Sequence, residues 1–134
     1  MVHILLIEDN PGDVLMIREA LRASPIPADV VIAYDGEEGL RLLKEEKVPA
    51  DFVILDLNLP KCSGLAILEQ HRDKDGPPVV VLTGSPNASD AERAKELGVR
   101  DYVIKPQGFQ PFIKAVQGIL ERWASPPKPA PSQA

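Results

Sequence analysis

The chain has 134 residues, 44% hydrophobic and 26% charged, the size of one compact domain with no room for a second of ordinary length. A single cysteine, Cys62, excludes a disulfide framework and a multi-cysteine zinc site, and 15 basic against 20 acidic residues (net charge −5) argue against a nucleic-acid partner. No run approaches the roughly 18 apolar residues of a membrane span, and the N-terminus lacks a secretory pattern, so the expectation is a soluble cytoplasmic protein without a membrane partner.

The first apolar run, His3–Ile7, is too short for a helix and is followed by Glu8-Asp9-Asn10-Pro11. Asn10 is a good N-cap, Pro11 fits the first helical position, and Asp13 belongs in the first turn, after which Val14, Ile17 and Leu21 share one face. A second run, Val30–Ala33, precedes a helix capped by Asp35 that turns Leu40 and Leu43 inward. The third run, Phe52–Leu55, ends at Asp56, and a helix from Gly64 to about Arg72 carries Leu65 and Leu68. Val79–Leu82 then leads to Thr83, and the most polar helix, Ala88–Leu97, stops at Gly98. Because it has so little apolar surface, it should be the least firmly packed. Tyr102–Ile104 ends at Lys105, and a last helix from Pro111 carries Phe112, Val116, Ile119, Leu120 and Trp123 as a stripe. Beyond it, 125–134 holds four of the chain's 14 prolines and no apolar period, so the domain is expected over 1–124 with a disordered Pro-rich tail over 125–134.

All five runs are rich in Val, Ile and Leu and apolar on both faces, as in parallel strands covered by helices on either side. Alternation with helices predicts an α/β fold with a five-stranded parallel, doubly wound sheet. In such open sheets, ligands bind outside the carboxyl ends of the strands. The residues standing there are Glu8, Asp9, Asp56, Thr83 and Lys105. Three close carboxylates repel one another, and a divalent cation relieves the repulsion; oxygen-only ligands suit magnesium rather than zinc. With a cation bound, the site can accept a phosphoryl group, and Thr83 and Lys105 can donate to its oxygens. Taken singly, each of these residues also has an ordinary reading as a cap or a solvated turn residue. Their coincidence at the ends of four strands is what carries the assignment.

The set resembles the receiver domain of two-component response regulators. The pieces that carry the likeness are Ile7-Glu8-Asp9-Asn10, Asp56-Leu57-Asn58-Leu59-Pro60 with Gly64, Val81-Leu82-Thr83-Gly84 and Tyr102-Val103-Ile104-Lys105-Pro106. The resemblance implies a flavodoxin-like, CheY-like sheet of order 2-1-3-4-5. Asp56 would be the phosphoacceptor, taking the group from a phosphohistidine of a sensor histidine kinase. Asp9 would hold Mg2+ directly, Glu8 through a water, and Asn58 through its backbone carbonyl. Thr83 and Lys105 would contact the phosphoryl oxygens, and Tyr102 would turn inward as Thr83 moves. The reshaped surface of the fourth helix, fifth strand and fifth helix would meet a downstream protein target or a second copy.

Some positions depart from the common pattern. Glu8 stands where Asp is more frequent, and Gly84 where Ala or Ser is usual, which would leave Asp56 accessible; Asp73 to Pro77 form a short connection. The resemblance also implies that Asn58 and Ser85 help set the rate of phosphoryl loss. The Asn-Pro-Gly-Asp opening of the first helix and Trp123 look most like stand-alone receivers serving phytochrome-type kinases, with no output domain of their own.

Cys62 lacks an activating neighbour and reads as a bystander thiol; His3 reads as packed at the first strand and His71 as a solvated helix residue. There is no P-loop spacing and no GxGxxG. Two other functions use related sheets. An Asp-nucleophile phosphohydrolase of the haloacid-dehalogenase-like type needs an acid two residues past the nucleophile, where Asn58 stands. A flavodoxin-like flavin binder needs a Ser/Thr/Gly-rich first loop, where Glu8-Asp9 would repel phosphate.

Overall fold

The computed structural model describes residues 1–71 and 76–124. Its strands are β1 (Val2–Ile7), β2 (Ala28–Ala33), β3 (Phe52–Leu55), β4 (Val79–Thr83) and β5 (Asp101–Ile104). They form one parallel sheet in the order β2-β1-β3-β4-β5. Its helices are α1 (Pro11–Ala23), α2 (Gly36–Leu40, continued by a π turn over Arg41–Glu45), α3 (Gly64–Gln70), α4 (Ala88–Glu96) and α5 (Phe109–Trp123). The expected Pro-rich tail and Arg72 lie outside the described residues.

Strand alternation divides the interior into two cores. Ile4, Leu6, Phe52, Ile54, Val80 and Leu82 face one way and pack on Val14, Ile17 and Leu21 of α1 and on Phe112, Val116 and Ile119 of α5. Leu5, Ile7, Val53, Leu55 and Val81 face the other way, onto Leu42, Leu43, Ile67, Leu68 and Ala94. Side chains of this size each contribute roughly 1.5–3 kcal/mol when fully buried, so both cores hold the helices onto the sheet.

The central strands β1, β3 and β4 match the expectation of burial on both faces; β2 and β5 do not. They are the sheet edges: Val31 is 41% exposed and Ile104 49% exposed. An apolar run does not by itself distinguish an edge strand from a central one. The second helix also differs, burying the consecutive pair Leu42 and Leu43 while Leu40 is only half-buried. Adjacent buried pairs also occur in α1, α3 and α5, so Leu42 and Leu43 share a core-facing stripe in the ordinary way and the inward face is centred on them rather than on Leu40.

Caps follow the sequence closely. The side chains of Asn10, Asp35, Ser63 and Asn87 accept from backbone N–H groups of Asp13, Glu38, Ala66 and Ser89. Gly98, at φ +96°, ends α4 in the left-handed conformation that a Cβ disfavours. Of α4 itself only Ala94 is buried, consistent with its polar composition. The start of α5 is Phe109, two residues earlier than Pro111 suggests, because Gly108 at φ +98° turns the chain into the helix.

Both histidines depart from expectation. His3 is exposed, its ring 3.9 Å from Asp29, although Leu5 and Ile7 on the same face of β1 are buried; it stands near the strand's N-terminal end. His71 caps α3 and is partly buried. Trp123 is half-buried, and its indole N–H donates to Asp101 Oδ2 at 3.3 Å.

Candidate functional site

Parallel pairing brings the strand ends to one edge, and backbone bonds continue the ladder just beyond them. Glu8 N–H donates to the Ala33 carbonyl (3.0 Å), Asp56 N–H to Ile7 (3.1 Å) and Lys105 N–H to Thr83 (2.7 Å). The functional residues are therefore fixed by the sheet before their side chains make any contact. Glu8, Asp56 and Thr83 are the only buried polar or charged residues among those described.

At the centre is the Lys105 ammonium. It lies 2.7 Å from Asp13 Oδ2, 2.9 Å from Glu8 Oε1 and 3.1 Å from Asp56 Oδ2, so its three N–H donors meet three carboxylates. Each carboxylate of the buried pair keeps a second bond. Glu8 Oε2 accepts from Asn10 N–H at 3.1 Å, and Asp56 Oδ1 from Asn58 N–H at 3.2 Å. Asp9 is exposed beside them, and oxygens of Glu8, Asp9 and Asp56 lie within 4.8 Å of one another.

Charge is unbalanced here. Burial pushes the Glu8 carboxyl up from 4.5 to about 7; Lys105 partly offsets this, and the nearby Asp56 charge adds to it. For Lys105, burial alone would favour the neutral amine, but the hydrogen bonds from Asp13 and Glu8 and the charge of Asp56 outweigh it and push the ammonium upward. The acid set has the chemistry of a divalent-cation site: hard oxygen donors, close enough to share one ion, and short of positive charge.

The switch candidates surround this centre. Thr83 is fully buried at the end of β4, and its Oγ1 accepts from Ser85 N–H at 3.3 Å. Ser85 Oγ in turn donates to Asp90 Oδ2 on α4 at 3.2 Å. Tyr102 is half-buried with its hydroxyl buried and unpaired; burial and the charges of Asp90 and Asp56 hold the phenol above its ordinary range. Asn58 is exposed. A Cβ on Gly84 would meet nothing within 4 Å, so the approach beside Thr83 is open. Gly64 is the opposite case: a Cβ there would lie 2.6 Å from the Asp56 carbonyl oxygen and 2.6 Å from Leu57 Cα. The loop after Asp56 folds back that tightly, and Gly64 N–H closes it onto Leu57 O at 3.0 Å.

Sequence reading missed Asp13 as a member of the site. Its place in the first turn of α1 reads as a helix-start acid; the available clue was that this turn follows directly on Glu8-Asp9. Cys62 is a free, half-buried thiol, held in its protonated form by burial and the nearby Glu37 charge. No helix of the described residues is long and apolar enough to cross a membrane.

A family model of the response regulator receiver domain matches residues 4–117. The chain belongs to this family. Its sequence is 38% identical to response regulator Rcp1 of Synechocystis sp. over 128 residues, covering 90% of this chain and 87% of that protein. It is 36% identical to the transcriptional activator protein IrlR of Burkholderia pseudomallei, of which it spans 51%. Among solved structures, the Mn2+-bound form of Rcp1 superposes with a TM-score of 0.86 at 35% identity, over 97% of this chain and 100% of that one. The phosphorylated cyanobacterial phytochrome response regulator RcpA gives 0.85 at 36%, over 92% and 94%.

The receiver is thus a signalling domain of the response regulator type, with the expected sheet order and an acid cluster suited to a divalent cation. Neither the phosphohydrolase nor the flavin-binder alternative gains support from these matches.

Proposed function

We propose that this receiver accepts a phosphoryl group on Asp56 from a sensor histidine kinase and relays the signal by changing its protein contacts. The observation that carries the reading is the Lys105 ammonium 3.1 Å from Asp56 Oδ2, with Glu8 and Asp9 at the same edge and Thr83 buried alongside. In the transfer, an Asp56 carboxylate oxygen bonds to phosphorus as the phosphorus–nitrogen bond of the phosphohistidine breaks, the electron pair leaving with the imidazole. Positioning and charge neutralisation are the main requirements of such a step. Lys105 and the Thr83 hydroxyl donate to the phosphoryl oxygens, and Asn58 N–H keeps Asp56 oriented. Loss of the group to water returns the carboxylate and inorganic phosphate, and Asn58 and Ser85 flank that approach.

Glu8, Asp9, Asp56 and the Asn58 carbonyl would hold magnesium, which supplies charge neutralisation to the transferring oxygens. In this reading Asp9 would bind directly and Glu8 through a water. Once the new dianion draws Thr83 toward it, the Ser85 bond to Thr83 Oγ1 is lost and Tyr102 turns further in. The α4–β5–α5 face then changes; Ile104 and Phe109, 49% and 53% exposed, stand on or beside it as contacts for a target or a second copy. The likeness to the cyanobacterial phytochrome response regulator RcpA supports a phytochrome-type kinase as the partner.

Intact-mass measurement after incubation with acetyl phosphate tests the reading. One hydroxylamine-labile phosphoryl adduct is expected with magnesium, absent without it and absent in Asp56→Asn. An adduct that persists in Asp56→Asn would refute the assignment.

A further inference from the structure

Asp13 makes the shortest of the three contacts to Lys105, at 2.7 Å across 92 residues of sequence. Its side chain is 19% exposed and that of Lys105 13% exposed, so the pair sits at the rim of the buried centre rather than in open solvent. The other two acids on Lys105, Glu8 and Asp56, belong with Asp9 to the cluster that can share a cation, and Asp13 does not. Asp56 is also the group to be phosphorylated. Of the carboxylates on Lys105, Asp13 alone is left unclaimed by either event. A divalent cation on the shared acids repels the ammonium and competes for its acceptors, and a lysine side chain with four rotatable carbons has solvent within reach.

We infer that Asp13 is a positioning residue: it tethers the Lys105 ammonium beside Asp56 when the other acids are taken by the cation. The inference deepens the phosphoacceptor reading and rests on it. Asp13 touches neither phosphorus nor the leaving group. It acts only through Lys105, which must donate to the phosphoryl oxygens as a carboxylate oxygen of Asp56 bonds to phosphorus and the leaving group departs with its electron pair. Misplacing a group that stabilises such a transition state by about 1 Å can slow it on the order of a hundredfold; because the phosphoryl oxygens themselves still draw the ammonium, loss of the Asp13 anchor is set at about tenfold.

The test measures acetyl-phosphate labelling rates by intact mass at saturating magnesium in the wild-type chain, Asp13→Asn, Lys105→Ala and the double variant. A tenfold fall in Asp13→Asn, with no further fall when it is added to Lys105→Ala, is expected. The same samples report the Lys105 side-chain ammonium by 15N NMR: a resonance protected from exchange in the magnesium-bound wild type and lost in Asp13→Asn. An unchanged labelling rate, an equal fall in both backgrounds, or a retained ammonium resonance would each overturn the role. If Asp13→Asn does not fold, Asp13→Ser takes its place in the same comparison. No adduct on the wild-type chain would overturn the phosphoacceptor reading and this role with it; an adduct formed at equal rates in wild type and variant overturns only the role of Asp13.

Discussion

Glu8 couples cation binding to pH over a range that is easily reached. Its carboxyl is buried and raised from 4.5 to about 7, so near neutrality it is only half ionised in the metal-free protein. A divalent cation needs the ionised form. With a pKa near 7, about one-eleventh of the molecules have Glu8 ionised at pH 6 and about ten-elevenths at pH 8, a tenfold change in competent site. Magnesium affinity, read by calorimetry, is therefore expected to rise about tenfold between pH 6 and pH 8. The Glu8→Gln variant binds more weakly and without that slope. Wild-type affinity that moves by less than about twofold, or a Glu8→Gln profile as steep as wild type, would refute the reasoning.

The same group makes a stability prediction of opposite sign for the metal-free fold. A carboxyl whose folded pKa lies above its unfolded value binds protons more tightly when folded. Stability is then undiminished below about pH 4.5 and is lost as pH rises through about 7. At about 1.4 kcal/mol per pKa unit the full loss is about 3.5 kcal/mol, or on the order of 10 °C in Tm for a domain of this size. Magnesium opposes it, so the ion's stabilising effect on Tm grows from pH 6 to pH 8.

Other perturbations probe the remaining parts. Lys105→Ala leaves buried acids without their cation and is expected to cost about 3–5 kcal/mol at pH 8 without magnesium, measured by urea unfolding; the variant labels poorly and switches no partner. Gly64→Ala forces a Cβ against the Asp56 and Leu57 backbone and is expected to lose about 1–3 kcal/mol in the same assay. Tyr102→Phe removes a buried hydroxyl that has no partner and is expected to stabilise the unphosphorylated fold by about 1 kcal/mol.

Much of this was legible in the sequence because local rules and tertiary structure agree. Asn10-Pro11 and Asp35 cap the helices that they appear to cap, and the continuous apolar runs of β1, β3 and β4 are buried on both faces. The site residues could be located because a parallel sheet puts every strand's carboxyl end on one edge. What escaped depended on relations that no local pattern contains. Whether a Val-rich run is central or marginal depends on strand order, so β2 and β5 looked like the others. Which of Leu40, Leu42 and Leu43 turns inward depends on how the second helix docks on the sheet. Asp13 reads as a helix-start acid until α1 is docked, and only then does its carboxylate meet an ammonium 92 residues away.

In the proposed reading, the charge imbalance is what would let phosphorylation switch the domain. Among the described residues Lys105 is the one cation in contact with three acids, two of them buried, and those acids raise its affinity for protons. A second positive charge would relieve the centre, and phosphorylation of Asp56 would then replace one carboxylate charge with a larger one at a new position. The redistribution reaches α4 through short steps: Thr83 Oγ1 accepts from Ser85, Ser85 donates to Asp90, and the Asp90 charge acts on the unpaired Tyr102 hydroxyl. Since α4 buries only Ala94 of its own length, little packing opposes its movement. Asp90→Ala cuts this chain without touching the acids around Lys105. It should therefore leave the labelling rate of Asp56 within about twofold of wild type while weakening the phosphorylation-dependent NMR shifts of α4 and β5. Full shifts in that variant would show that the signal travels by another route.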